Sequence, residues 1–342
     1  MSPLALRRGR VAVVERNGPL ARLRVQLGNE LRQAISYTFL TGPVERGDEV
    51  IVNCAALDLG LGSGGFDVVH VNLTRGLDAP VEEGVHVMKL NYTPLQYPVK
   101  PFEEVAPQGA PLRGGGPVAV IALHGQLPCV AWAAGQLAEG AQVGYVQTAG
   151  GALPGALSEV VRELRQRELL AAHVTAGPAF GGEADAITVA GALHAGFTGE
   201  GWDAAIVGPG PGILGSATVL GHGGLAALDS AHAALALSSR TLLVPRMSSG
   251  DPRPRHQGLS HHTASVLELL LAPVLVPLPR GAGHLAIVPE PHESAEYDVD
   301  LAGYSGSGLP NRTMGRSSEE DELFFRAALA GGVALAKEIH GL

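Results

Sequence analysis

The hydrophobic pattern changes character about a third of the way along the 342-residue chain. Up to residue 100, short β-prone runs follow one another: Arg10–Glu15, Ala21–Leu27, Gln33–Thr38, Glu49–Asn53, Asp67–Leu73 and His86–Asn91. Turn clusters such as Asn17-Gly18-Pro19, Gly28-Asn29 and Arg46-Gly47-Asp48 separate them, with no amphipathic helical window between. This spacing predicts a small all-β barrel or sandwich over residues 1–100. Gly60-Leu-Gly-Ser-Gly-Gly65 resembles a nucleotide loop, but β runs flank it and no helix follows. Without a helix N-terminus to attract phosphate, it reads as a hairpin or barrel-corner loop.

Residues 101–116 are rich in Pro and Gly and include Arg113-Gly114-Gly115-Gly116, the composition of a linker. From Pro117 the pattern becomes strand, Gly-rich turn, helix, repeated. Val118–Leu123, Gln142–Gln147, Ala172–Ala176, Asp203–Val207, Thr241–Pro245 and Pro273–Leu278 are continuous apolar runs. Helical windows lie between them: from near Pro128, over Pro154–Leu169, over Glu183–Phe197, from Ser216–Gly224 to about Ser238, and over Ser260–Leu271. A last helix is expected after Ser317 or Ser318, where Ser317-x-x-Glu320 fits a capping box. Continuous rather than alternating apolar runs belong to strands covered on both faces, and strand–helix alternation makes neighbouring strands parallel. Residues 117–342 are therefore expected to form a Rossmann-like, doubly wound, mostly parallel α/β sheet.

In such sheets ligands bind at the carboxyl ends of the strands. The residues expected there are polar and Gly-rich: His124 and Gln126; Thr148, Gly150 and Gly151; Thr175, Gly181 and Gly182; Gly208 to Gly215; then Arg246, Ser248, Ser249 and Asp251. Gly210-Pro-Gly212-Ile-Leu-Gly215 is formally G-x-G-x-x-G after an apolar strand, so Gly208, Gly210, Gly212 and Gly215, with Arg246, Thr148, Gly150 and Gly151, are candidate anion-binding residues. The dinucleotide reading is weak. The motif follows the fourth strand of its domain, Pro209 and Pro211 have no N–H for phosphate, and the next strand ends in Arg246, not an acid. Another anion, or a purely structural turn, remains open.

A second constellation is Arg246-Met-Ser-Ser-Gly-Asp251-Pro-Arg253-Pro-Arg255-His256, then Ser260-His261-His262-Thr263. Ser260 is a natural N-cap, which puts both following histidines in the first helical turn, where imidazolium is disfavoured. His261, His256, Asp251 and His124 are the candidate catalytic residues, and neutral imidazole there can act as acid or base, bind a metal, or brace the loop. Successive helical residues lie about 100° apart, so one of His261 and His262 is expected to line the site and the other to pack outward or brace the loop from Asp251 to His256. No H-E-x-x-H spacing is present, and no metal ligand is assigned. There is no G-x-S-x-G nucleophile elbow either.

Composition narrows the function classes. A net charge of −9 without a basic tract removes the electrostatic footprint of nucleic-acid binding. Val266–Leu278, the longest apolar candidate, is broken by Glu268, Pro273 and Pro277, too short for a membrane span. Met1–Arg10 has an Arg pair but no apolar stretch, so no signal peptide is expected. Cys54 and Cys129 are isolated, as buried thiols of a cytoplasmic protein would be. Aromatics at 4% leave the core to aliphatic residues.

Five blocks together carry a resemblance. They are Asp58-Leu-Gly-Leu-Gly62-Ser-Gly-Gly65, His86-Val-Met-Lys89-Leu-Asn-Tyr92-Thr-Pro-Leu-Gln96, Ala176-Gly177-Pro-Ala-Phe180-Gly181-Gly182, Ser260-His261-His262-Thr263 and Thr313-Met314-Gly315-Arg316. The chain resembles, nearly end to end, an uncharacterised bacterial domain-of-unknown-function family, the DUF 3866 group. The resemblance implies a cytoplasmic bacterial protein of this two-part layout and no particular activity or cofactor. The residues themselves lead to an enzyme acting on a small anionic or phosphorylated metabolite. The Gly208–Gly215 loop and Arg246 would hold the anion, with His261 or His256 moving a proton and Asp251 orienting it. The alternative is a non-catalytic metabolite sensor whose β domain contacts a protein partner. Assembly into a homo-oligomer is compatible with either.

Overall fold

A computed structural model describes residues 4–62, 64–80, 83–216 and 218–341. Contacts divide the chain into two compact units, Met1–Val99 and Lys100–Leu342. In the first, β1 (Leu6–Arg16), β2 (Leu20–Leu27) and β3 (Glu30–Tyr37) lead through the one-turn helix α1 (Thr38–Thr41) to β4 (Glu49–Asn53). The one-turn helix α2 (Ala55–Asp58) then leads to β5 (Asp67–Asn72). The five strands close into a barrel in the order β1-β2-β3-β5-β4. Alternation is the cause: Val11, Leu23, Val25, Val50, Val52 and Val69 are buried inside, while their strand neighbours are more exposed, polar in β2 and including Ile51 in β4. The glycine loop after α2 is a barrel corner between β4 and β5, and Ser63 within it lies outside the described residues. The run expected as a sixth barrel strand is instead a separate hairpin of β6 (Val87–Lys89) and β7 (Tyr97–Val99).

The second unit is an eight-stranded sheet. Its strands are β8 (Val118–Ile121), β9 (Val143–Thr148), β10 (Ala172–Ala176), β11 (Ala184–Ala186), β12 (Ala204–Pro209), β13 (Thr241–Val244), β16 (Leu275–Pro279) and β17 (Glu293–Tyr297). Between β13 and β16 lies the small antiparallel pair β14 (Met247–Ser248) and β15 (Gly258–Leu259), and a second such pair, β18 (Arg312–Thr313) and β19 (Arg316–Ser317), follows later. The sheet order is β11-β10-β9-β12-β8-β13-β16-β17, and every neighbouring pair is parallel. This is the Rossmann-like, doubly wound layer that the continuous apolar runs implied. Successive residues of β8 enter opposite cores, which explains why the strand is apolar at every position. Ala119 and Ile121 pack with α3 (Leu127–Leu137), α4 (Glu159–Gln166) and α9 (Glu322–His340). Val118 and Val120 pack with α5 (Val189–Thr198), α6 (Ala226–Ala236) and α7 (His261–Leu269).

The edges depart from the expected elements. Glu183–Phe197 divides into β11 and α5, because Asp185 accepts from Thr175 Oγ1 and from the backbone N–H of Gly181 at 3.1 Å, holding the segment beside β10. Thr188 then caps α5 by accepting from Gly191 N at 2.9 Å. β17 carries three exposed residues in five, so no apolar run announced it. The segment expected as a linker, 101–116, packs along the second unit instead. Phe102 is buried and stacks on Trp202 at 5.8 Å, and Gly115 and Gly116 lie against Phe197 and the Asp203 carbonyl, too close for any Cβ at Gly116.

Ser317 and Glu320 do exchange bonds, Ser317 N to Glu320 Oε2 at 2.7 Å and Glu320 N to Ser317 Oγ at 3.3 Å. They close the turn before α9, whose own N-cap position is Asp321. α8 (Leu301–Gly306) precedes this turn. α9 lies against α3 because its middle is small: a Cβ on Gly332 would run into the Val130 carbonyl.

Candidate functional site

Two strand-end connections and one helix start build the site, beside β8, where the chain winds in opposite directions: to β9 on one side, to β13 on the other. Past β13 the backbone N–H of Arg246 donates to Thr263 Oγ1 at 2.8 Å and its carbonyl accepts from Ser260 N at 2.9 Å. Those two bonds stitch the strand end to the start of α7. Ser260 is the N-cap, its hydroxyl accepting from His262 N at 3.3 Å. From the other side comes the β12–α6 connection. It doubles back through the Gly215–His222 bridge and a bond from Ser216 N to the Gly221 carbonyl at 2.6 Å, setting His222 just before α6.

Four imidazoles converge there. The His222 and His262 rings stack at 3.8 Å with 9° between their planes. His261 stands edge-on to both, 4.4 Å from His262 and 5.4 Å from His222. His256 lies 4.8 Å from His261 and 4.9 Å from His262. Its Nδ1 is 2.7 Å from Ser260 Oγ. That hydroxyl also accepts from His262 N, so Ser260 ties His256 to the first turn of α7.

The Arg246 side chain, buried with 1% exposure, joins the histidines to an ionic lattice. It donates from NH1 to His262 Nδ1 at 3.0 Å and from NH2 to Asp251 Oδ2 at 3.2 Å. Asp251 also accepts from Arg253 at 2.8 and 2.9 Å and from Arg316 at 3.4 Å. Asp321 accepts from Arg316, Ser248, and the backbone of Ser249 and Gly250. Arg253, through its side-chain and backbone hydrogen bonds and its charge, holds Asp251 far below the usual carboxylate range despite its burial. Burial, eased by Asp251, lowers Arg246 to about 10.

The same surroundings keep the imidazoles neutral. Burial first, then Arg246 and Arg253, lowers His256 to about 3. Burial, His222 and Arg246 lower His262 to about 2. His261 is lowered by burial, His222 and Arg255. His222 is lowered by burial and by Arg246 and Arg255, with the Val219 backbone pulling the other way without reaching hydrogen-bond geometry. Imidazoles this acidic are weak bases near neutrality, which limits free acid–base work. They are, however, in the form that donates a lone pair to a metal. Four buried nitrogen atoms here have no hydrogen-bond partner among the described residues: Nδ1 and Nε2 of His222, Nε2 of His261 and Nε of Arg246. Each such group costs about 1–3 kcal/mol.

The comparisons with known proteins supply a family. The model of a protein of unknown function, DUF3866, matches residues 33–332. The chain belongs to that family. No curated protein and no solved structure matches it.

In this DUF3866 chain the structure brings together some of the predicted residues and separates others. Arg246, Asp251, His256 and His261 meet in one cluster, though Asp251 contacts three arginines rather than orienting a histidine. His261 and His262 both enter the cluster, contrary to the expectation that one turns away. Their rings lean to a common side at the helix start, with no preceding turn to separate them. His124 stands apart. Its Nδ1 faces the Pro209 carbonyl at 3.1 Å and its Nε2 faces Ser158 Oγ at 2.8 Å, and burial lowers it to about 4, the marks of a brace.

The G-x-G-x-x-G motif does not open a helix. The described residues 210–216 and 218–222 lie in no helix or sheet strand, and the first helical turn is the 3₁₀ segment Gly223–Leu225. Its glycines serve close backbone approach: a Cβ on Gly151 would strike the Gly210 and Gly212 carbonyls, one on Gly210 the Ala152 carbonyl, and one on Gly208 the Ile121 side chain. Gly150 and Gly223 press on each other in the same way. A Cβ on Gly215 would meet open space, and Thr148 spends its hydroxyl on the Ala149 carbonyl at 3.1 Å. The motif lacks the helix N-terminus of a phosphate loop, and these glycines instead clamp the loop that carries His222.

His222 is the residue that sequence reasoning missed. Its one signal was position, an imidazole between glycines in Gly221-His222-Gly223-Gly224.

Proposed function

We propose that this DUF3866 protein is a cytoplasmic enzyme acting on a small anionic metabolite, bound over the histidine–arginine cluster at the carboxyl ends of β12 and β13. The observation that carries the reading is the group of four unpartnered buried nitrogens on His222, His261 and Arg246. A fold retains desolvated polar groups in one place at a loss of stability, and sites that bind ligands are where that loss is tolerated. The charge fits an anion. Arg246, Arg253 and Arg316 face Asp251 and Asp321, the charge of Arg255 acts on His222 and His261, and the histidines add no positive charge near neutrality. The partly exposed His261 is the open side. Two concavities of about 650 and 620 Å³ lie elsewhere and contain none of these residues. The reducing compartment is supported by two buried free thiols, Cys54 and Cys129.

A melting-temperature screen of phosphorylated and carboxylated metabolites tests the reading. At least one should raise the transition of the wild-type protein and lose its effect in Arg255→Ala, which removes an exposed guanidinium beside the cluster. No shift across the panel would refute anion binding. A shift without turnover would favour the alternative, a metabolite sensor, which the low basicity of the imidazoles also suits.

A further inference from the structure

We propose that His222, His261 and His262 form a binding site for one divalent transition cation of the zinc class, leaving an open coordination position. The inference rests on the reading that this cluster is the functional site, and names what the cluster holds.

The geometry is that of ligands without their ion. One nitrogen from each of the three rings lies within 4.8 Å of the other two. Zinc takes imidazole nitrogens at 2.0–2.1 Å in tetrahedral geometry, which sets the nitrogens about 3.4 Å apart. The nitrogens therefore need to close by roughly 1 Å, and the stacked His222 and His262 rings must splay apart so that both lone pairs meet at one point. His222 is 8% exposed, and neither of its ring nitrogens has a partner among the described residues. His261 Nε2 is likewise buried and unpartnered. The stacking of His222 on His262 points their like edges the same way. A Cβ placed on Gly224 would sit 3.1 Å from His222 Nδ1 and 3.3 Å from His262 Nδ1. Glycine at 224 keeps that side of the pair clear.

The alternatives explain less. A structural core would satisfy the imidazoles or replace them by apolar residues. A proton shuttle would use one imidazole and leave the convergence of three unexplained. Three neutral imidazoles suit a borderline cation, and with three protein ligands a fourth position stays open for water or an anionic group.

His262 gives the third lone pair at the expense of a present bond. Its Nδ1 now accepts from Arg246 NH1. Coordination there releases that N–H, next to an Arg246 Nε that already lacks an acceptor. An anion at the open position would then meet the freed guanidinium N–H. It would also offset the repulsion between the cation and Arg246.

The test uses the full-length protein, freed of metal by a chelator and dialysed. Titration with Zn²⁺, read by competition with a chromophoric chelator, should give one equivalent bound with sub-micromolar affinity. Co²⁺ should give the intense visible absorption of a four-coordinate site. His222→Ala and His261→Ala should each weaken Zn²⁺ binding at least about 100-fold, with the exposed His284→Ala unchanged. Absence of both Zn²⁺ binding and the Co²⁺ band in the wild-type protein would overturn the proposal, and so would binding that survives His222→Ala. The Co²⁺ spectrum of the wild-type protein decides the matter even where a variant fails to fold. The metabolite screen, run on metal-free protein, separates this proposal from the anion reading. Anion shifts without metal binding overturn the metal alone, and metal binding without anion shifts overturns the metabolite alone.

Discussion

Replacing His222 by Leu should make the metal-free protein more stable while removing its ability to bind a cation. In the folded chain both imidazole nitrogens of His222 are buried without a hydrogen-bond partner among the described residues. In the unfolded chain both are hydrated. Taking the low end of about 1–3 kcal/mol for each desolvated group, the wild-type residue forfeits about 2 kcal/mol. Leucine restores that and buries apolar surface in its place. Against it stands the lost face-to-face contact with His262 at 3.8 Å and an imperfect fit, together about 1 kcal/mol. The net expectation is stabilisation by about 1 kcal/mol, a rise of about 2–4 °C for a unit of this size. The two tryptophans of the chain, Trp132 and Trp202, both lie in the second unit, so their fluorescence follows its unfolding alone. Denaturant and thermal transitions should be measured in chelator, since a bound cation would add stability to the wild type only. Destabilisation by more than about 1 kcal/mol would mean that His222 makes stabilising contacts in solution, and the reasoning from unpartnered nitrogens would fall.

Stability of the metal-free protein should also fall as pH drops below 6.5. His256 and His262 have folded values of about 3 and about 2, below the ordinary 6.5, so the unfolded chain binds more protons through that window. The stability they confer is complete above 6.5 and is lost on acidification, by up to about 1.4 kcal/mol per pH unit for each. Arg246 and Arg253, which help lower His256, and Arg246, which helps lower His262, stay charged throughout this window. A denaturant midpoint flat from pH 7 to 5 would contradict this. Gly224→Ala should weaken Zn²⁺ binding about tenfold, because its Cβ would crowd Nδ1 of His222 and of His262 at 3.1 and 3.3 Å; an unchanged affinity would show that the ion sits elsewhere. Sulfate should tighten Zn²⁺ binding by about 1 kcal/mol or more if the released Arg246 N–H receives an anion, and the same coupling should appear when sulfate binding is measured with and without Zn²⁺. Gly332→Ala should lower the stability of the second unit by about 1–3 kcal/mol, because the helices α3 and α9 must separate around the new methyl; a neutral effect would show that the pair can part freely.

The sequence by itself determined the two-part architecture. The alternating run of β2 could only face a single core, and the largely apolar runs of β8, β9 and β12 could only be covered twice. It also placed Ser260 as a cap and the Arg246–His256 stretch beside it, because capping and strand-end position are local properties of the chain. Membership of the DUF3866 family was likewise legible in short blocks of residues. Where a segment's structure depends on what lies across from it, the sequence was silent. β17 is polar and became a strand because β16 offered a free edge, and segment 101–116 became part of the second unit because Phe102 found Trp202. The glycines of residues 208–215 looked like a phosphate loop, since close approach to an anion and close approach to another backbone call for the same missing Cβ. Only the fold shows which of the two occurs. His222 makes the point most sharply. It lies some forty residues before His261, and no spacing rule relates them. They meet because parallel strands β12 and β13, separated in the sheet by β8, deliver their following loops to one edge.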